Sequence, residues 1–254
     1  MGAAVRVSSE GDEALSCFGE MTIRPGVLSY RGGLSPARMH AHHSVQVLIA
    51  RQGEFVVSDA AGTKVPCRAA VIPADVAHAV PRGVANGEMV HLAAESEDGV
   101  ELCRSLGRSR CAAAWVAAGS ALVEDLGDDE WWADGLPYAR SNVRHPALAS
   151  ALRLLPELIE AGPVRLRETA CAVGVSESRL SHLFSEEIGL AFRPYVRWLR
   201  MSRAIDRIAL GHSLTDAAHA AGFFDDAQFA RVCDTTFGLS PALLMREMRL
   251  SVES

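Results

Sequence analysis

Histidines 40, 42 and 78 are the residues of this 254-residue chain whose types and spacing best suit chemistry. The run His40-Ala41-His42-His43-Ser44-Val45-Gln46 reads as a strand. Residues two apart on a strand share a face, so His40 and His42 are expected to point into one cavity with Gln46 in phase. The segment Ile72-Pro73-Ala74-Asp75-Val76-Ala77-His78 brings a third imidazole. Three neutral imidazoles and an amide oxygen can hold one divalent transition metal, Zn, Ni, Cu or Fe. Without a carboxylate the set loses charge and affinity. The same side chains can instead line a pocket for an organic ligand, and both readings stand. His43 should face the other way, exposed, with Met39, Cys67 and His91 as core or rim rather than ligands.

A second constellation lies near the other end. Ala170-Cys171-Ala172-Val173-Gly174-Val175 and Ala218-His219-Ala220-Ala221-Gly222-Phe223 each place a small Ala four residues before a Gly. In a helix-turn-helix, Ala lets two helices approach closely and Gly makes the sharp turn between them. One copy is weak evidence, since any helix hairpin can show it. Two copies, each followed by an apolar-striped helix and joined by one long helix, are much stronger.

The elements that must position these residues follow from periodicity. Up to about His91 the chain is rich in Val, Gly and Pro, with short runs such as 44–49 and 54–57 split by Gly53, Ala61-Gly62 and Pro73, the pattern of an antiparallel sheet. From Glu95 the texture turns helical over 99–106 and 110–126. There Leu102, Leu106, Trp115, Val116 and Leu122 can pack on their own sheet or on a second copy. Trp131 and Trp132 can cover the pocket mouth or the domain junction, with ordinary packing the expected role. The remainder predicts helices over 145–160, 165–173, 177–187, 192–210, 214–221 and 225–237, bounded by Gly162-Pro163, the cap Ser176, Gly189 and Gly211.

Composition bounds the whole. With 25 Lys+Arg against 31 Asp+Glu the formal charge is −6, and 49% of residues are apolar, so the length suggests two folding units. No apolar stretch approaches a membrane span, and the first residues lack a secretory leader, so a cytoplasmic location and no membrane partner are expected. Six dispersed cysteines without a CxxC pair read as free, mostly buried thiols. Net acidity argues against nucleic acid, so that claim must come from local architecture.

Over roughly 100 residues the C-terminal part resembles the DNA-binding domain of AraC-type transcriptional regulators. The residues that carry it are Leu166 to Ala170, Val175 to Phe184, Arg200 to Ala204, and Ala218 through Phe223. Phe229-Ala230-Arg231-Val232 with Phe237-Gly238-Leu239-Ser240-Pro241 is the clearest block. By that resemblance the outward positions of the first reading helix are Ser178, Ser181 and His182 with Arg179 beside them, and those of the second are Asp226, Ala227, Gln228, Ala230 and Arg231. Arg can pair with guanine and Gln with adenine. The long helix, about 27 Å at 1.5 Å per residue, can hold both reading helices about one DNA turn apart. Two departures stand out. Residues 145–254 hold 12 Arg against 13 Asp+Glu, and Cys233 stands where the family usually has Phe. Arg165, Arg167, Arg179, Arg193, Arg197, Arg200 and Arg203 can form a positive stripe or solvated helix faces.

Residues 20–92 resemble the cupin pattern of a small β-barrel, with Gln46 at the acid position and few of the usual glycines. The two resemblances together imply an α+β two-domain chain. Residues 1–95 would form an antiparallel cupin-like β-barrel that senses a metal or small molecule, 96–144 a helical linker that can dimerise, and 145–254 an all-α domain with two helix-turn-helix units. The expected function is a DNA-binding transcription regulator, not an enzyme. Its partners would be double-stranded DNA, a small-molecule or metal effector, a second copy in a homodimer, and RNA polymerase. The alternative is a metal-dependent cupin enzyme fused to a DNA-binding domain.

Overall fold

Among the described residues, short β-branched runs and the glycines between them set eleven strands, and several of the helices start at side-chain caps. A computed structural model describes residues 4–8, 19–106, 109–126, 144–238, 241 and 249–251. The strands are β1 (Ala4–Ser8), β2 (Gly19–Arg24), β3 (Val27–Leu34), β4 (Ala37–His40), β5 (Ser44–Ala50), β6 (Phe55–Asp59), β7 (Lys64–Cys67), β8 (Ala69–Ile72), β9 (His78–Arg82), β10 (Val84–Ala93) and β11 (Arg249–Ser251). The helices are α1 (Glu97–Leu106), α2 (Ala112–Leu126), α3 (Pro146–Ala161), α4 (Leu166–Ala172), α5 (Glu177–Leu183), α6 (Phe192–Ala209), α7 (Leu214–Ala220) and α8 (Asp226–Phe237). Trp131, Trp132 and Cys17 lie outside the described residues.

Two antiparallel sheets form, in the orders β11-β1-β2-β3-β10-β5-β8 and β4-β9-β6-β7. Among the described residues they are separate hydrogen-bonded ladders, so the closed barrel expected from the sequence is replaced by two facing sheets. β5 shows why its run is apolar on both sides. Val45, Val47 and Ile49 pack with Leu102, Leu106 and Leu122 of α1 and α2, whereas Leu48 and Ala50 pack between the sheets with Phe55, Val57 and Trp115. The helices over 97–126 therefore bury their apolar stripes on their own sheet. Gly119 makes this closeness possible, since a Cβ there would lie 2.4 Å from the Ala70 backbone nitrogen.

The helix-turn-helix reading is realised in matching hydrogen bonds. At the first turn Val175 N–H donates to Ala170 carbonyl and Gly174 N–H to Cys171 carbonyl. At the second, Phe223 N–H donates to Ala218 carbonyl and Gly222 N–H to His219 carbonyl. Both are Schellman turns, and Gly174 and Gly222 take the left-handed φ of +72° and +78° they require. Ser176 and Asp225 then cap α5 and α8, accepting from Arg179 N–H and Gln228 N–H. The repeated Ala-x-x-x-Gly is the sequence trace of this turn.

One helix differs from its expected span. The α-helical ladder expected over 177–187 ends at Leu183 and widens to a π-helical turn over Phe184–Ile188. There the Ser185 hydroxyl donates to the Ser181 carbonyl, competing with the ladder, and Glu187 Oε2 accepts from Arg144 and His145 N–H at the start of α3. The helices share a core built on Leu148, Leu155, Phe184, Trp198, Phe229, Cys233 and Phe237. Met21, Ile23 and Leu28 of β2 and β3 belong to the same core, so the helical part is docked on the larger sheet. Of the thiols, Cys67 and Cys233 are buried, Cys103 is half-buried, and Cys111 and Cys171 are exposed, so fewer are buried than the sequence suggests.

Candidate functional site

His40, His42 and His78 do converge, but not through the strand phase that predicts it. His40 ends β4 in the small sheet and pairs with His78 of β9, whereas β5 begins only at Ser44 in the large sheet. The chain crosses between sheets at 41–43, and the bend turns His42 inward toward the same space. Ring centroids lie 4.3 Å apart for His40 and His78, 4.9 Å for His42 and His78, and 5.5 Å for His40 and His42.

The second ring nitrogens define the chemistry. His40 Nδ1 lies 2.7 Å from Arg38 carbonyl, His42 Nδ1 3.0 Å from Ser44 carbonyl and His78 Nδ1 2.8 Å from Val76 carbonyl. A carbonyl only accepts, so each Nδ1 carries the proton and each Nε2 presents a lone pair. Such an Nδ1–H to carbonyl bond fixes the ring and orients a metal-ligating imidazole. The Nε2 atoms of His42 and His78 and Oε1 of Gln46 are buried without a hydrogen-bond partner. The three ligand nitrogens lie within 4.8 Å of one another. A tetrahedral ion at about 2.0 to 2.1 Å from each needs them about 3.3 Å apart, a closure that half-exposed His40 can supply by rotating. Burial, reinforced by the neighbouring His40, lowers His42 to about 4, and burial with the charge of His42 lowers His78 to about 3. Both are neutral at pH 7, the form that binds metal. The donor set fits a divalent transition ion.

His91, expected as core or rim, is core and also packs against the cluster. It is fully buried, its ring is 4.8 Å from that of His42, and it pairs in register with Gln46 across β10 and β5. Gln46 Nε2 lies 3.3 Å from His91 Nε2, and His91 Nδ1 lies 2.8 Å from the Ser44 hydroxyl. Burial pushes His91 well below the ordinary histidine value. Its place beside the cluster follows from strand register and not from its spacing in the sequence. Trp115 forms a wall, with its ring 6.4 Å from His78. His43 behaves as expected, half-exposed at 43%, with Asp75 at 3.0 Å. Cys67 is buried in the core, whereas Met39 is 49% exposed, on the surface rather than in core or rim packing.

The expected DNA-facing residues are outward. Ser178, Arg179 and His182 on α5 and Ala227, Gln228 and Arg231 on α8 are exposed, with Ser181, Asp226 and Ala230 half-exposed. Two of them already have intramolecular partners. His182 Nε2 sits 2.9 Å from Glu186, and Gln228 Oε1 accepts from the Phe224 N–H at 2.8 Å as part of the α8 cap. Phe224, just ahead of α8, is 82% exposed. The basic stripe is smaller than the sequence suggests: Arg197 pairs with Glu95 at 2.8 Å, Arg203 with Glu160, and Arg165 with Glu168 at 3.0 Å.

Residues 169–247 match the family model described as a helix-turn-helix domain. The HTH-type transcriptional regulator YpdC of Escherichia coli (strain K12) is 34% identical over 82 residues, 32% of this chain and 29% of that protein's length. An AraC-type transcriptional regulator from Chromobacterium violaceum is 27% identical over 40% of this chain and 89% of its own, at a TM-score of 0.36. ToxT of Vibrio cholerae is 11% identical and covers 88% of this chain and 99% of its own, at a TM-score of 0.43.

Proposed function

From the premise that the chain carries an AraC-type helix-turn-helix domain, we propose that it is a transcription regulator that binds double-stranded DNA through α5 and α8, under control of an effector held in the histidine pocket. The observation that carries this reading is the pair of matching Schellman turns, each leading into a capped helix with exposed side chains, joined by the 18-residue α6. A spacer of about 27 Å suits two reading helices on successive major-groove faces. Arg179 on α5 and Arg231 on α8 are the side chains best suited to pair with guanine. The effector is a small molecule or a divalent transition ion such as Zn, Ni, Cu or Fe. His40, His42 and His78 would be its ligands and Gln46 a fourth. A cupin-like ancestry of the sheets, a homodimer and contact with RNA polymerase belong to the same reading.

The test is selection of bound sequences from a random duplex library, followed by fluorescence anisotropy on the selected site. The double variant Arg179→Ala/Arg231→Ala should lose the specific mode and keep its fold by circular dichroism. Full retention of specific affinity would remove α5 and α8 as the reading helices. Failure of the wild type to select any sequence, with and without added metal, would refute the regulator reading.

A further inference from the structure

The second helix-turn-helix unit reaches the histidine pocket with its own backbone. In the last turn of α8 the Thr235 carbonyl accepts from the His43 N–H at 2.6 Å, and the Thr236 carbonyl accepts from the Ser44 hydroxyl at 2.6 Å. Gly238 follows in the left-handed conformation, φ +68°, directly over the histidines. A Cβ at that position would lie 2.4 Å from His40 Cδ2, 3.1 Å from His40 Nε2 and 3.3 Å from His42 Cδ2. Phe237 lays its ring 5.4 Å from His91, whose proton on Nδ1 leads through Ser44 to the Thr236 carbonyl. The pocket therefore has walls from both sheets and a cover from the DNA-reading part.

That cover has the right sign. The final carbonyls of a helix carry a partial negative charge of about half an electron. Three neutral imidazoles and the Gln46 amide supply no formal negative charge against a dication, and Nε2 of His42, Nε2 of His78 and Oε1 of Gln46 are buried without partners. The carbonyl end of α8 is hydrogen-bonded to His43 and Ser44, within two residues of His42 and Gln46, which puts its partial negative charge beside the ligand set.

Resting on the reading of this pocket as an ion site, we infer that the C-terminal end of α8, through Gly238 and the carbonyls of Thr235 and Thr236, completes the site, so that binding of a divalent transition ion and seating of the second helix-turn-helix unit reinforce each other. Coupling of this kind is reciprocal. The ion holds α8 at its C-terminal end, and the rigid helix of 12 residues carries that restraint about 18 Å to the end that faces DNA. Gly238 then has two tasks. It stops the helix, and it permits a backbone approach to the imidazoles that any side chain would block.

The experiment measures zinc(II) affinity of the full chain by competition with a chromophoric chelator, and hydrogen exchange of residues 40–47 and 230–238 with and without zinc. Three variants are compared with wild type. Gly238→Val obstructs the cover, Arg197→Glu breaks the Arg197–Glu95 tie between the two parts at a residue that is not a ligand, Glu95 also lying 3.7 Å from His43 Nε2, and His40→Ala/His42→Ala removes ligands. In wild type, zinc should slow exchange in both segments. Gly238→Val and Arg197→Glu should bind zinc about tenfold more weakly, with the slowing confined to residues 40–47, and the double histidine variant should not bind. Should Gly238→Val fail to fold, Arg197→Glu alone decides. Wild-type affinity in Arg197→Glu, or zinc binding that leaves 230–238 unprotected in wild type, overturns the coupling while leaving the metal site intact. Absence of zinc binding in wild type overturns the ion reading itself, and the coupling falls with it.

Discussion

Asp225 and Asp226 sit side by side at the N-terminal end of α8 and should respond to substitution in different ways. Asp225 is the N-cap, its Oδ1 accepting from Gln228 N–H at 2.6 Å, so Asp225→Ala removes a helix cap worth about 1 kcal/mol. For a chain of this size that is a fall of about 2 to 4 °C in Tm. Asp226 is the first helical residue, half-exposed and outside the cap. If α8 enters a major groove, its carboxylate faces phosphates at about 7 Å. Two unit charges at that distance in water repel by about 0.6 kcal/mol, reduced by screening at physiological salt to about 0.3. Two flanking phosphates give about 0.5 kcal/mol in total. Asp226→Asn should therefore tighten DNA binding about twofold at physiological salt, more at low salt, with Tm nearly unchanged. Anisotropy titrations on the selected duplex at several salt concentrations measure both the gain and its dependence on salt. Equal affinity of Asp226→Asn and wild type at every salt concentration would refute the placement of α8 against DNA, because a charge at that position cannot be indifferent to nearby phosphates.

Two further outcomes concern the sheets. Asp59 accepts from the N–H groups of Ala61, Thr63 and Ala112, which lowers its carboxyl from the ordinary 3.8, so the stability it provides is present above that value and is lost as the pH falls through the lowered one. Thermal melts between pH 3 and 7 should show Asp59→Asn less stable than wild type at neutral pH and the difference narrowing at the acid end; a constant difference would contradict the assignment. Gly119→Val places side-chain atoms on the backbone of Ala69 and Ala70 and should detach α2 from β8. The detachment would appear as a lowered Tm and as faster hydrogen exchange at Trp115, and an unchanged Tm would show that α2 has room there.

The helical part was legible because its signals are local. Gly174, Gly222, Ser176, Gly189 and Gly211 each mark a turn or cap within a few residues of the helix they bound, and the ends follow to within a residue or two. The π turn was not legible, since it depends on Ser185 and on Glu187 reaching Arg144 and His145 some forty residues earlier. In the sheets the histidine cluster was found for an incomplete reason. His40 ends a strand and His42 lies in the crossover between sheets, and only the fold tells that a bend, not a strand, brings them together. His91 escaped because a lone histidine in an apolar strand is read as core until register places it opposite Gln46. The cover from Thr235, Thr236 and Gly238 lay further still from any sequence signal. Those residues look like an ordinary helix end, and nothing in their types announces a partner nearly two hundred positions away.

On the proposed reading, the arrangement of charge explains how a nearly neutral helical part would address DNA. Arg197, Arg203 and Arg165 are turned to Glu95, Glu160 and Glu168, and burial lowers Arg200, which is packed near Gly222. Arg203 ties α6 to α3 and Arg197 ties α6 to Glu95 beside the sheets, whereas the Arg165 pair is local to α4. Arg167, Arg179, Arg193 and Arg231 stay exposed, and two of them lie on the reading helices themselves. With so few cations free, nonspecific attraction to the phosphate backbone should be weak, because each neutralised phosphate contributes to affinity and to its dependence on salt. Discrimination must then come from how well α5 and α8 are aligned rather than from charge. A protein of this design gains most from a device that fixes α8, and the pocket lies against the end of α8 that does not read DNA.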